Sequence, residues 1–120
     1  MRTDMFQQVL EELKGSSADV EASALISTDG LMIASALPAG MDEDRVGAMS
    51  AALLSLGDRA VRELARGTLE RVLLQGGRGY VIMSSSGTEA VLTVLAKQNA
   101  KLGLLFLDIK RAAEALSKLI

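Results

Sequence analysis

The tetrapeptide Thr28-Asp29-Gly30-Leu31, set between the apolar runs ALIS and MIAS, constrains the fold of this chain more than any other stretch. Asp-Gly readily adopts the positive φ angles that a two-residue hairpin turn demands, so residues 21–37 read as two antiparallel strands. Pro38 has no N–H to give to a ladder and, with Gly40, closes the second strand.

Helical periodicity brackets this hairpin. Before it, Met5, Phe6, Val9, Leu10 and Leu13 predict a helix over residues 4–14, with Asp4 as N-cap and Gln7 three residues on. Gly15 is placed to end that helix in the left-handed conformation. After the hairpin, Asp42, Glu43 and Asp44 supply negative charge at a helix start, and Arg62 and Arg66 supply positive charge at its end before Gly67. The second helix is therefore expected over residues 42–66, with its stripe of Val46, Met49, Leu53, Leu56, Ala60 and Leu64 facing the core.

Three more strands are predicted over residues 69–75, 80–85 and 89–96, separated by Gly76-Gly77-Arg78-Gly79 and Ser85-Ser86-Gly87-Thr88. The last, EAVLTVLA, is apolar nearly throughout, and a strand covered on both faces belongs in the middle of a sheet. The first alternates Leu69, Arg71, Leu73 and Gln75 with Glu70, Val72 and Leu74, and its charges suit a sheet edge. Beyond the polar KQNAK, Leu105, Ile109, Ala112, Leu116 and Leu119 predict a third helix from residue 102 to the C-terminus, supported by Glu114 and Lys118 at i, i+4. The order is helix, two strands, helix, three strands, helix. This is an α+β chain, and its 120 residues suffice for one modest core, hence one domain over residues 1–120.

That core is unusual in kind, because the chain has no Trp, one Tyr and two Phe. Its volume comes from Leu, Val, Ile, Met and Ala, which bury less area each, so sharing a sheet or core with a second copy is favourable.

Cys and His are both absent. Their absence removes disulfides, the usual ligands for zinc, copper or haem, a Cys nucleophile and a Ser-His-Asp triad. GGRGY follows a strand but lacks the Lys-Ser/Thr of a phosphate loop and precedes another strand, so no helix N-terminus waits there for a phosphate. Ser84, Ser85 and Ser86 have no base beside them, and capping accounts for Asp42, Glu43 and Asp44. No catalytic residue, cofactor, metal or small-molecule substrate is expected; only a well-formed cavity around Asp108 or Lys97 would reopen the case for an enzyme.

The 13 basic and 15 acidic residues are spread without a run of like charge, which argues against a nucleic-acid partner. No apolar stretch reaches the ~18 residues of a membrane span, and MRTDMFQQVLEEL is an acidic amphipathic start rather than a signal peptide. A cytoplasmic protein is expected. On the second helix, Ala48, Ala51, Ala52, Ser55 and Arg59 form a small-residue face beside the apolar stripe, shallow enough for another backbone to pack closely, with Leu54 and Val61 on the opposite flank. This face is the candidate partner-binding surface.

The element order, the hairpin ALISTDGLMIAS, the helix AMSAALLSLGDRAVRELARG and the closing KLGLLFLDIKRAAEAL together resemble the roadblock family named from dynein light chains, in particular its MglB-like bacterial and archaeal regulators. The resemblance implies a profilin-like sandwich: a five-stranded antiparallel sheet with one long helix on one face and the terminal helices on the other. It implies a homodimer in which the edge strand pairs with its copy, here through Leu69, Arg71, Val72, Leu73 and Gln75, and the long helices lie side by side. It also implies a small Ras-like GTPase as partner, whose hydrolysis or exchange the protein would modulate by repositioning the GTPase's own residues. Arg59 and Arg78 are the exposed candidates for a donated arginine, although surface solubility explains both. The alternative is a structural or sensory subunit of a larger signalling assembly, with no effect on nucleotide turnover.

Overall fold

In the computed structural model, which describes residues 2–120, the apolar runs and periodic stripes become eight elements. They are α1 (Arg2–Ser16), β1 (Val20–Ser27), β2 (Met32–Ala36), α2 (Glu43–Glu63), β3 (Val72–Gly76), β4 (Gly79–Ser86), β5 (Ala90–Lys97) and α3 (Leu102–Ser117). The strands form one antiparallel sheet in the order β2-β1-β5-β4-β3. β5 occupies its centre, as its unbroken apolar run requires, with Val91, Leu92 and Val94 fully buried.

Alternation along the strands divides the core in two. Leu25, Ala34, Ile82, Leu92 and Val94 point to one face, where Phe6, Leu10 and Leu13 of α1 and Leu105, Ile109 and Leu116 of α3 cover them. Ala24, Ile26, Met83 and Val91 point to the other face, against Val46, Leu53 and Leu54 of α2. The long helix thus lies alone on one side and the terminal helices on the other, the expected α+β sandwich.

Local chemistry departs from expectation at several points: α1 begins at Arg2, so Asp4 lies in its first turn rather than capping it, and α3 ends at Ser117 rather than at the C-terminus. The hairpin loop has three residues, not two: the Ser27 N–H donates to Leu31 C=O at 2.8 Å and the Gly30 N–H to Ser27 C=O at 2.9 Å. Only Gly30 has positive φ, at 91°, because a type I turn followed by one left-handed residue needs a single glycine. The first helix runs through Gly15 to Ser16, where the Ser16 hydroxyl and the Ser17 N–H both donate to Leu13 C=O at 3.2 Å and no left-handed cap is needed. α2 stops at Glu63 rather than residue 66, and the first left-handed residue beyond it is Ala65, φ 57°, ahead of Gly67, with the Arg66 N–H donating to Val61 C=O at 2.7 Å. β3 starts at Val72, so Leu69 and Arg71 lie outside it.

Candidate functional site

α2 is capped at its start and seated on the sheet and its β1–β2 turn at two places. Asp42 caps its start, the carboxylate accepting from the Asp44 and Arg45 N–H groups at 3.0 and 3.2 Å. Gly47 lies so close to the Gly30 carbonyl that a Cβ has no room there. Further on, the Thr93 hydroxyl donates to Ser50 Oγ at 2.8 Å inside the core, with Ser50 3% and Thr93 4% exposed. The pair is not among the expected site residues; its one sequence signal is Thr93, the polar residue in the middle of EAVLTVLA.

The seat of α2 is therefore the line through Gly47, Ser50 and Leu54, not the expected stripe. Val46 and Leu53 of that stripe do pack against the core, but Met49, Leu56 and Leu64 are 57%, 64% and 69% exposed. Small residues let the helix approach the sheet, which rotates the bulkier stripe to the flank. Leu54, expected on the opposite flank, packs inward. Of the small-residue face, Ala48, Ala52, Ser55 and Arg59 are exposed, and Arg59 Nε donates to Glu63 at 2.9 Å. Ala51 is half-buried in a groove it shares with Thr28, Thr68 and Leu69.

The two edges of the sheet differ. α1 lies against β2, and its Gln7 side-chain amide donates to the Ser35 carbonyl at 2.8 Å, while the Ser35 hydroxyl donates to Glu43. β3 has its outer side exposed, including Leu73 at 42% and Leu74 at 41%. The turn Gly77-Arg78 makes Gly76 and Gly79 a mutually hydrogen-bonded pair, since one step closer no pair exists. Alternation from there turns the N–H and C=O of Leu74 and Val72 to Val81 and Met83 on β4, and leaves those of Leu73 and Gln75 pointing outward. Arg71, just before β3, stacks its guanidinium over the Phe106 ring of α3, 4.2 Å from the centroid.

Between the edge and α2 lies an apolar pocket of about 460 Å³. Met41, Met49 and Leu53 form one wall, Leu74, Val81 and Leu95 the other, and Ser50 with Thr93 the floor. Met49, expected in the core, and Leu74, outside the expected interface set, face this same pocket. Around Asp108 there is only an open groove of about 270 Å³ between α1 and α3, shared with Glu12 and Arg111. Among the described residues no group of three carboxylates could hold a metal, and no helix is long and apolar enough to cross a membrane.

Comparison with known proteins gives this geometry a family. Over 110 residues the chain is 38% identical to the protein MJ1340 of Methanocaldococcus jannaschii, covering 92% of this chain and 95% of that one. In structure it is similar to the gliding protein MglB of Thermus thermophilus, with TM-score 0.85 and 23% identity over 98% of this chain and 90% of the other. It is also similar to Acanthamoeba castellanii profilin II, with TM-score 0.69 and 19% identity over 94% and 97%. These two likenesses establish the profilin-like fold. The model of the Roadblock/LC7 domain matches residues 5–96, and the chain belongs to the Roadblock/LC7 family.

Proposed function

We propose that this protein is a homodimeric, non-catalytic regulator or scaffold that binds a small Ras-like GTPase through the outward face of α2 and modulates its nucleotide hydrolysis or exchange. Family membership and the lack of Cys and His support a regulatory rather than a catalytic role. The dimer is carried by one observation: the β3 edge of the sheet stands open beside an apolar pocket, whereas the β2 edge has α1 against it, with Gln7 on the Ser35 carbonyl. An unpaired edge recruits another strand, and a second copy satisfies the outward groups of Leu73 and Gln75 symmetrically.

With the two-fold axis at Leu74, Leu73 pairs with Gln75 of the second copy, and Leu74 meets its own counterpart on the α2 side of the sheet. The antiparallel arrangement directs the C-terminal half of one α2 towards the N-terminal half of the other. Leu56 and Ala60 of one copy then cover Met49 and the pocket of its partner. Both copies of Ala48, Ala52, Ser55 and Arg59 remain outward on the same face of a continuous sheet, a platform for one GTPase.

The test combines light scattering with capture of a Ras-like GTPase from the same genome, loaded with GDP or with a GTP analogue. The wild type is expected to be a dimer, to bind one loaded state and to alter GTP turnover; Ala52→Arg is expected to stay dimeric and lose the GTPase. If no such GTPase binds in either state, the assembly-subunit reading replaces this one. Undiminished binding by Ala52→Arg moves the contact off this face.

A further inference from the structure

Every sulfur in this chain is a thioether, because the sequence holds six methionines and no cysteine. Three of the six surround the same apolar pocket: Met41 and Met49 at its mouth and Met83 at its base. In the free chain Met41 is 39% and Met49 57% exposed, whereas Met83 is fully buried. An oxidant in solution therefore reaches two of the three. Elsewhere Met5 is exposed on α1, far from the open edge, and serves as an internal control.

We infer that this pocket is an oxidation switch, in which conversion of Met41 and Met49 to sulfoxides holds the chains apart; the inference rests on the dimer proposed above. A hydroperoxide transfers one oxygen to the Met Sδ lone pair. The O–O bond breaks and an S–O bond forms, the sulfur loses two electrons, and the peroxide is reduced to water or the corresponding alcohol. A flexible apolar side chain thereby becomes a strong hydrogen-bond acceptor.

In the dimer that oxygen is enclosed with Leu53, Leu74 and Leu95, which offer no donor. Of the two hydroxyls on the pocket floor, Thr93 is already given to Ser50 at 2.8 Å, so the Ser50 O–H alone remains, one donor for two sulfoxide oxygens. Arg45 at the rim faces Asp42 at 3.8 Å, with its side chain 83% exposed and solvated. An enclosed acceptor without a donor is costly, while in the free chain both side chains keep a face in water. Oxidation takes place on the dissociated chain, and re-association is then disfavoured until a methionine sulfoxide reductase removes the oxygen.

The experiment is light scattering over a range of chain concentrations before and after hydrogen peroxide, with peptide mass spectrometry to locate each added oxygen. Oxidation at Met41 and Met49 is expected to raise the dimer dissociation constant by about tenfold or more, and a sulfoxide reductase to restore it. Met41→Leu/Met49→Leu keeps size and apolarity and is expected to remain a dimer after peroxide even with Met5 oxidised. An unchanged dissociation constant in the doubly oxidised chain overturns the switch, as does equal opening of the double-leucine variant. So does failure of Met41 and Met49 to take up oxygen under conditions that oxidise Met5. A wild type that is monomeric before any oxidant removes the dimer itself, a failure visible before peroxide is added.

Discussion

Gly47→Ala tests how closely α2 sits on the β1–β2 turn. A Cβ at Gly47 falls well inside contact distance of the Gly30 carbonyl oxygen and within 3.8 Å of Ile26 Cγ2. The obstacle is backbone, held in place by the Gly30 N–H bond to Ser27 at 2.9 Å, so a side-chain rotation cannot relieve it. Forcing a methyl group into such a contact costs about 1–3 kcal/mol, against a gain of about 1 kcal/mol from replacing glycine inside a helix. Gly57→Ala in the same helix collects the same gain, and its Cβ meets only the Val72 side chain at 3.1 Å and Leu69 at 3.5 Å, which need give by a few tenths of an ångström. Gly57→Ala is thus expected to be neutral or stabilising by up to about 1 kcal/mol, and Gly47→Ala to lose up to about 2 kcal/mol, the two differing by the contact cost of about 1–3 kcal/mol. For a domain of this size that difference separates the two melting temperatures by roughly 5–12 °C. Thermal unfolding by circular dichroism at one chain concentration, which holds any association constant, reads it directly. If Gly47→Ala melts with Gly57→Ala or above it, α2 is not seated on the turn, and the exposure of Met49 and Leu56 loses its explanation.

Ser50→Ala leaves the buried Thr93 hydroxyl without its acceptor and is expected to cost about 1–3 kcal/mol in urea unfolding, whereas Ser50→Ala/Thr93→Val removes both polar partners and should recover most of it. Leu73→Pro deletes an outward N–H and is expected to give a folded monomer by light scattering, while Leu74→Pro and Val72→Pro delete donors to β4 and should unfold the edge; a dimeric Leu73→Pro moves the seam away from β3. Ala65→Gly relieves a left-handed alanine and is expected to raise stability by about 1 kcal/mol, and a loss would mean that the α2 terminus is not strained.

Most of the fold was legible in the sequence because each element carried its own signal. Hydrophobic alternation and period separated five strands from three helices, and the apolar run of β5 placed it at the centre of the sheet. The misreadings fall where two physical solutions share one signal. Asp29-Gly30 serves both a two-residue and a three-residue hairpin, and nothing local decides which. Gly15 suits a left-handed cap, yet two donors to Leu13 C=O make that cap unnecessary.

The least legible element was α2, for a reason that bears on what the protein does. Its apolar residues at 3-4-3-4 spacing, Val46, Met49, Leu53, Leu56, Ala60 and Leu64, do form a stripe, but hydrophobicity cannot say whether such a stripe meets the chain's own sheet or another chain. What decides is the distance of approach. The residues that touch the sheet most closely are Gly47, which leaves no room for a Cβ above Gly30, and Ser50, whose hydroxyl is satisfied by Thr93. A small-residue line was therefore the right sign of close packing, but it ran through Gly47 and Ser50 rather than Ala48, Ala52 and Ser55. Two small lines on one helix divide the work: the one with a hydrogen-bonding partner beneath it anchors the helix, and the one without faces outward. The bulky stripe between them, with Met49 and Leu56 on its flank, is too exposed for a core and too continuous with the pocket beside Leu74 to be indifferent surface. A second copy that covers it would complete a core which one chain, poor in aromatic residues, only half encloses.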